Sequence, residues 1–274
     1  MVRALAVPNW SFYEPELAAR AERLLVAQGC RVHYCQGDID HQRTVTGFSG
    51  PLATVSESLI KLCELLLPSI DLSGPHGVHP RVGALDVAPF VSLGTPLHEL
   101  LPAVESVACQ IWEKFQVPVR LYEKSTRSGN ESRLPVLRGQ VGEIKTPPDF
   151  GDAPHPKWGT TIVGVRDFLL ATNIELPGSS MHFCRQLAKE IRIRREGGNS
   201  KFRGVRALAF HLESRGTWQL SLNFTDPDAT SFDEVFGFVE EFTPVVGTEL
   251  IGVIRQRDLP KCTKLAVDAR QVVD

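Results

Sequence analysis

The sequence predicts an α+β chain of two ferredoxin-like subdomains. Each is expected to be a mixed or antiparallel sheet with helices on one face, with the ligand site between them. Two observations carry that expectation. Hydrophobic periodicity gives the element order β-α-β-β-α-β twice within 274 residues, enough chain for two modest cores. Between the copies, residues 123–160 change texture. Charges and glycines crowd there with five prolines (135, 147, 148, 154 and 156), the composition of a functional loop or a linker. The division is placed after residue 172, giving subdomains 1–172 and 173–274. The halves share element order without detectable identity.

In the first copy, Val2–Val7 reads as a short buried strand ended by Pro8 and Asn9. Glu14–Gln28 sets Leu17, Ala21, Leu24, Leu25 and Ala27 at helical spacing, and Gly29 stops it. Strands follow at Arg31–Gln36 and Arg43–Phe48, joined by the polar turn Gly37–His41. Pro51–Leu67 is a helix whose Leu59, Ile60, Leu62, Cys63, Leu66 and Leu67 form an apolar stripe. Ala84–Leu93 is the next strand. Thr95 suits the cap, and Pro96 the first position, of a helix reaching Phe115; Val117–Tyr122 is a further strand. One short helix fits near Leu134–Arg138. The second copy reads as strand-rich Thr160–Leu176 with a break at Arg166–Asp167, then helix Ser179–Glu196. A hairpin of Val205–Glu213 and Trp218–Phe224, helix Phe232–Phe242 and a closing strand Glu249–Arg255 complete it.

A formal net charge of −2 gives no global footprint for nucleic acid or an anionic membrane. The longest apolar runs, Leu65–Pro68 and Ala84–Leu93, fall far short of a membrane span, and the N-terminus lacks a full signal-peptide core. Cysteines 30, 35, 63, 109, 184 and 262 include no Cys-x-x-Cys pair. Cys63, Cys109 and Cys184 lie in amphipathic helices, where thiols act as small hydrophobes. A reduced, cytoplasmic protein is the expectation.

Chemistry concentrates at residues 74–90, GPHGVHPRVGALDVAPF. Glycines and prolines there make a rigid, irregular turn that delivers polar groups onto the end of a strand. His76 and His79 have the spacing of a metal pair, but Pro80 and the glycines forbid the helix that such a pair needs, and no third ligand is near. His79 is left as a candidate general acid/base. The loop Asp149–Gly159 adds His155, Lys157 and Trp158, which offer hydrogen bonding, charge and a flat surface; plain packing is an equal reading of Trp158. Arg192, Arg194 and Arg195 read as a solvated helix end.

Residues 79–87, His-Pro-Arg-Val-Gly-Ala-Leu-Asp-Val, with Pro89 and Phe90 behind them, resemble the signature of the glutamate formiminotransferase family. Val7-Pro8-Asn9 with Ser11, Arg43-Thr44-Val45 with Phe48 and Gly50, Asp149-Phe150-Gly151, Trp158-Gly159, Asn173-Ile174 and Val245-Val246-Gly247 are similar to further family motifs, in order along nearly the whole chain. The resemblance implies two ferredoxin-like subdomains around a tunnel. It also implies transfer of a formimino group between N-formimino-L-glutamate and tetrahydrofolate, the folate serving as co-substrate and no metal being expected. His79 falls on the family's catalytic histidine, in the N-terminal subdomain. Arg81, Asp40, Arg43 and Asn9 fall on substrate-binding positions, and Gly151, Lys157, Trp158 and Gly159 on the folate-contacting loop. Small-molecule partners, no nucleic acid, no membrane and a homodimer are the accompanying expectations. Family members often carry a cyclodeaminase domain behind this one, for which 274 residues leave no room.

The chain departs from the family pattern at Gln42, where Asn is usual, at Val78, where Glu precedes the histidine, and at Phe12-Tyr13-Glu14 after Ser11. A carboxylate beside the histidine is thereby lost. Formyl transfer from N-formylglutamate, and a catalytically idle folate-binding protein on the same scaffold, stand as alternatives.

Overall fold

A computed structural model describes residues 2–74, 77–139 and 146–274. The chain divides into two compact units, residues 1–167 and 168–274, the expected division falling at 172/173. Both are α+β.

The first unit runs β1 (Arg3–Ala6), β2 (Asn9–Trp10), α1 (Pro15–Ala27), β3 (Arg31–Asp38), β4 (Arg43–Pro51), α2 (Leu52–Leu66), β5 (Leu85–Ser92), α3 (Leu97–Phe115), β6 (Val119–Leu121), α4 (Leu134–Leu137) and β7 (Thr161–Arg166). Its mixed sheet is ordered β3-β4-(β1, β2)-β5-β7-β6, antiparallel as far as β5 and parallel beyond. β1 and β2 are one track interrupted at Pro8, which has no N–H to give the ladder. Val7 N donates to the Pro89 carbonyl and Thr46 N to the Pro8 carbonyl across the break. The interruption leaves Asn9 opposite Val45 of β4 and Val87 of β5, where the register shifts. Leu25, Leu59, Leu62, Leu66, Val104 and Ala108 of the three long helices bury against Ala4, Ala6, Phe48, Ala88 and Phe90 of the strands. Each such leucine contributes about 1.5–3 kcal/mol by leaving water.

Three expectations change. The strand from Thr160, read as the opening of the second copy, is a track of the first sheet, parallel to β5 and β6. Periodicity shows that Thr-Ile-Val-Gly-Val is buried on both faces, as parallel strands are, but not which sheet receives it. Thr95 does not cap α3: its hydroxyl donates to the Arg3 carbonyl at 2.5 Å and accepts the Arg3 N–H at 3.0 Å, and Pro96 occupies the cap position. The closing strand breaks in two at Gly252, whose φ of +82° suits glycine.

The second unit runs β8 (Leu170–Leu176), α5 (Met181–Glu196), β9 (Val205–Leu212), β10 (Thr217–Phe224), α6 (Phe232–Glu240) and β11 (Gly247–Ile251), then the short parallel pair β12 (Ile254–Arg255) and β13 (Val272–Val273). Its main sheet, β11-β8-β10-β9, is antiparallel throughout. Alternate residues Ile174, Leu176, Leu220, Leu222 and Phe224 bury against Leu187, Ile191, Phe232 and Val235 of the helices. All six cysteines are free thiols, with Cys63, Cys109 and Cys184 on α2, α3 and α5. Among the described residues, no helix is long and apolar enough to cross a membrane.

Candidate active site

The loop that leads from α2 into β5 is stapled on two sides. Val78 N donates to the Asp40 carbonyl (3.0 Å), fixing it to the β3–β4 turn. Gly77 permits that approach, because a Cβ there would lie 2.3 Å from the His41 carbonyl oxygen. On the other side, Ala84 N donates to the Trp158 carbonyl (2.9 Å) and Thr160 N to the Val82 carbonyl (2.9 Å). Gly159, at φ +66°, lies so close that a Cβ would meet the Val82 carbonyl at 2.1 Å. Gln42 precedes Arg43 with a φ of +45°, in the left-handed region that an Asn enters more readily. The histidine loop, the β3–β4 turn and the loop before β7 are thereby one assembly.

At its centre Arg43, the first residue of β4, reaches three partners. Its Nε donates to Asn9 Oδ1 at 2.9 Å. Its Nη1 lies 2.5 Å from His79 Nδ1 and 3.1 Å from Nε2, and its Nη2 lies 3.7 Å from Asp86 Oδ2. His79 Nδ1 is also 2.9 Å from the Pro80 carbonyl. A carbonyl can only accept and a guanidinium can only donate, so the two neighbours of Nδ1 ask for opposite tautomers: Pro80 for a proton there, and Arg43, nearer to Nδ1 than to Nε2, for a lone pair. Asp86, almost fully buried on β5, accepts from Val82 N at 2.9 Å through Oδ1 and from Arg138 Nη2 at 2.5 Å through Oδ2. The His41 ring stands 6.1 Å from that of His79 and bonds Asp38 Oδ1 through Nδ1 at 2.9 Å.

Electrostatics follow from this crowding. Burial, then the guanidiniums of Arg43 and Arg138, hold the His79 pKa well below the usual 6.5, against the Pro80 hydrogen bond, which raises it. Burial and Arg138 likewise bring Arg43 down to about 9, with Asp86 opposing. The site therefore presents a neutral imidazole beside a guanidinium that is still charged at neutral pH. Burial also lowers the Arg81 pKa while the Asp86 carboxylate raises it.

The loop before β7 is built around His155. Its Nδ1 accepts from Lys157 N (3.2 Å) and Trp158 N (3.0 Å), and its ring stacks on the Trp158 indole at 4.4 Å. One indole face is thus covered, and the side chain packs against the core of the first unit. Its Nε1 is nonetheless buried without a hydrogen-bond partner among the described residues. Lys157 Nζ donates to the Pro68 carbonyl at 3.4 Å and lies in the field of Asp71. Gly151, at φ +78°, lies against Trp112. Among the described residues, no group of His, Cys, Asp or Glu is placed to hold a metal ion.

Of the residues singled out from sequence, the structure joins Asn9, Arg43 and His79 directly. Asp40 holds the loop through its backbone, Arg81 lies in the field of Asp86, and Trp158 and Gly159 are bonded to the histidine loop's own strand. His76 lies outside the described residues. Asp86, Arg138 and His41 were missed. Asp86 stands inside the quoted signature, and a carboxylate in an otherwise apolar strand is a readable signal. Arg138 carries none.

Comparison with known proteins identifies the family. A family profile described as "Formiminotransferase domain, N-terminal subdomain" matches residues 4–166, and one described as "Formiminotransferase domain" matches residues 171–273. The chain is 31% identical over 267 residues to the formimidoyltransferase-cyclodeaminase of Sus scrofa, covering 90% of this chain and 49% of that one. It is 30% identical over 231 residues to the glutamate formimidoyltransferase of Streptococcus pyogenes serotype M1, with 79% and 76% covered. To the enzyme of that name from Thermoplasma acidophilum it is 28% identical, with 81% and 77% covered. The chain thus spans about half the length of the two-activity relatives and about three quarters of the single-activity ones.

Proposed function

Because the chain belongs to the formiminotransferase family, we propose that it moves a formimino group between N-formimino-L-glutamate and tetrahydrofolate, with His79 as general acid/base. The observation that carries this reading is the buried His79 ring, held between the Arg43 guanidinium and the Pro80 carbonyl inside a stapled loop, where burial and the neighbouring guanidiniums favour its neutral form. In the tautomer whose Nδ1–H is held by the Pro80 carbonyl, Nε2 is the nitrogen that takes a proton once Arg43 turns to the substrate.

Arg43 gives the base a built-in response to substrate. A guanidinium pairs with a carboxylate in bidentate fashion, and we assign Arg43, oriented by Asn9, to the glutamate portion. The arriving negative charge opposes the field that holds the His79 pKa down, so the imidazole becomes a stronger base only when substrate is bound. His79 then accepts the proton lost by the incoming amine and returns it to the departing nitrogen.

Tetrahydrofolate, when bound, supplies that amine. The Trp158 indole N–H, without a hydrogen-bond partner among the described residues, and the close backbone at Gly159 fit a polar, flat ligand, and Lys157 suits its anionic tail. The strand orders of the two units also support reading each as a ferredoxin-like layer, the first extended by β7 and β6.

A steady-state assay of purified protein with N-formimino-L-glutamate and tetrahydrofolate tests the reading. Wild type is expected to turn over and His79→Ala to lose about 10²–10⁴-fold in kcat. Equal rates for the two proteins would remove His79 from the chemistry.

A further inference from the structure

Arg138 lies 52 residues from Asp86 in sequence, at the end of a four-residue helix, yet its side chain is only 8% exposed. An arginine is seldom buried so deeply unless it is paired. Leu134 and Leu137 of α4 pack with Val87 and Ile162, which seats the helix on the sheet and carries Arg138 inward. There Nη2 meets Asp86 Oδ2 at 2.5 Å. Asp86 is divided: its Oδ1 holds Val82 N, three residues past His79, and its Oδ2, shared with Arg138, is 3.7 Å from Arg43 Nη2.

We propose that Arg138 is a positioning residue for the His79 site. By occupying Asp86 Oδ2 it keeps that carboxylate from drawing Arg43 off the histidine, while Asp86 Oδ1 pins the histidine loop. The proposal rests on the reading of His79 given above.

The geometry makes the argument one of competition. Arg43 has three claims on it, Asn9, His79 and Asp86, and the contact to Asp86 is the longest. Without Arg138, Asp86 would face Arg43 as its one buried guanidinium neighbour among the contacts just named. Charge-assisted pairing would then shorten that contact at the expense of the His79 contact. The charged groups around His79 are Arg43 on β4, Arg138 behind α4, His41 with Asp38 at the β3–β4 turn, Asp40 in that turn, and Arg81 and Asp86 on its own loop and strand. Arg138 is among those that hold the imidazole neutral, so its loss has an electrostatic signature separable from general loosening.

The test is an NMR titration of the His79 ring in ligand-free protein, alongside kcat and KM across pH, for wild type, Arg138→Met, Arg138→Gln and Arg138→Lys. Arg138→Met is expected to raise the His79 titration midpoint by about one pH unit, the size typical of losing a neighbouring charge. Its kcat is expected to fall up to about 10²-fold, as for a sub-ångström misplacement, with KM changing much less. Arg138→Gln keeps a donor for Asp86 without the charge, so it carries the titration test if Arg138→Met fails to fold. Arg138→Lys is expected to bring the midpoint back toward wild type. An unmoved midpoint in both neutral variants, or wild-type kcat in them, overturns the proposal. A wild type without turnover would defeat the transferase reading instead, while the titration, which needs no substrate, still decides the role of Arg138.

Discussion

Each unit buries an aspartate against arginine, Asp86 in the first and Asp258 in the second, and these two arrangements are opposites. In the second unit Asp258 holds Arg255 by two bonds, of 2.6 and 2.8 Å, and Arg255 also reaches the exposed Asp228 at 3.0 Å. One guanidinium faces two carboxylates, and burial, which lowers its pKa, is outweighed by these partners, which raise it. In the first unit one carboxylate, Asp86, faces two guanidiniums, and Arg43 is pushed down to about 9. The first pattern holds charges where they already are. The second leaves positive charge beside a neutral imidazole, an arrangement with energy to gain when an anion arrives.

The sharpest way to break this contrast is to neutralise each aspartate. Asp86→Asn leaves two buried guanidiniums short of their carboxylate and is expected to destabilise by about 3–5 kcal/mol in urea unfolding. Asp258→Asn leaves Arg255 with Asp228 and a hydrogen bond, so the expected loss is about 1–3 kcal/mol. Equal losses would mean that the two clusters are alike, and a reversed order that Asp258 is the one on which more buried charge depends.

Two glycines compare the loops in the same way. Gly159 in the first unit and Gly216 in the β9–β10 turn both have positive φ, +66° and +62°. A Cβ at Gly216 meets nothing within 4 Å, so Gly216→Ala is expected to cost about 1 kcal/mol of backbone strain. At Gly159 the same methyl strikes the Val82 carbonyl, and Gly159→Ala is expected to exceed about 2 kcal/mol and to lower turnover through the histidine loop. Similar losses for both would detach the 155–160 loop from the site.

Acid sharpens the contrast further. The His79 pKa is lower folded than unfolded, so below 6.5 the unfolded chain takes a proton that the folded one resists. Stability therefore falls as pH drops from about 6.5 toward the folded pKa, by up to about 1.4 kcal/mol per pH unit from this group. His79→Gln is expected to flatten that part of the profile, read as urea midpoints at pH 6.5 and 5.5. A slope unchanged by the substitution would place the acid-sensitive group elsewhere.

Much of the first unit was legible because its signals are local. Leu59, Leu62, Cys63 and Leu66 announce a helix face, and the glycines and prolines from Gly74 to Gly83 announce a rigid loop. His79, Arg43 and Asn9, which the structure joins, were legible as candidates because each lies in a motif of its own. What stayed hidden depends on pairing over distance. β7 has the composition of a strand in either sheet, and the two-residue strands β2, β12 and β13 are too short for any period to show. Thr95 bonds Arg3, 92 residues away, instead of capping the helix beside it. Arg138 looks like a surface arginine in a charged segment until α4 seats it behind Asp86.

The smallest expected effect concerns two tryptophans. Trp218 in the second unit lies between Arg185, 5.1 Å from its ring, and His211, with centroids 5.1 Å apart. Trp218→Phe shortens both contacts' ring surface and is expected to cost about 1–2 kcal/mol. Trp158 also buries apolar surface, but its Nε1–H has no hydrogen-bond partner among the described residues, a penalty of about 1–3 kcal/mol that phenylalanine does not carry. Loss of packing and relief of the orphan donor oppose each other, so Trp158→Phe is expected to change stability by less than about 1 kcal/mol. If that donor is kept for a ligand, the same substitution weakens tetrahydrofolate binding by about 5- to 10-fold, the worth of one hydrogen bond, in a calorimetric titration. Unchanged affinity with unchanged stability would show that Trp158 is a packing residue.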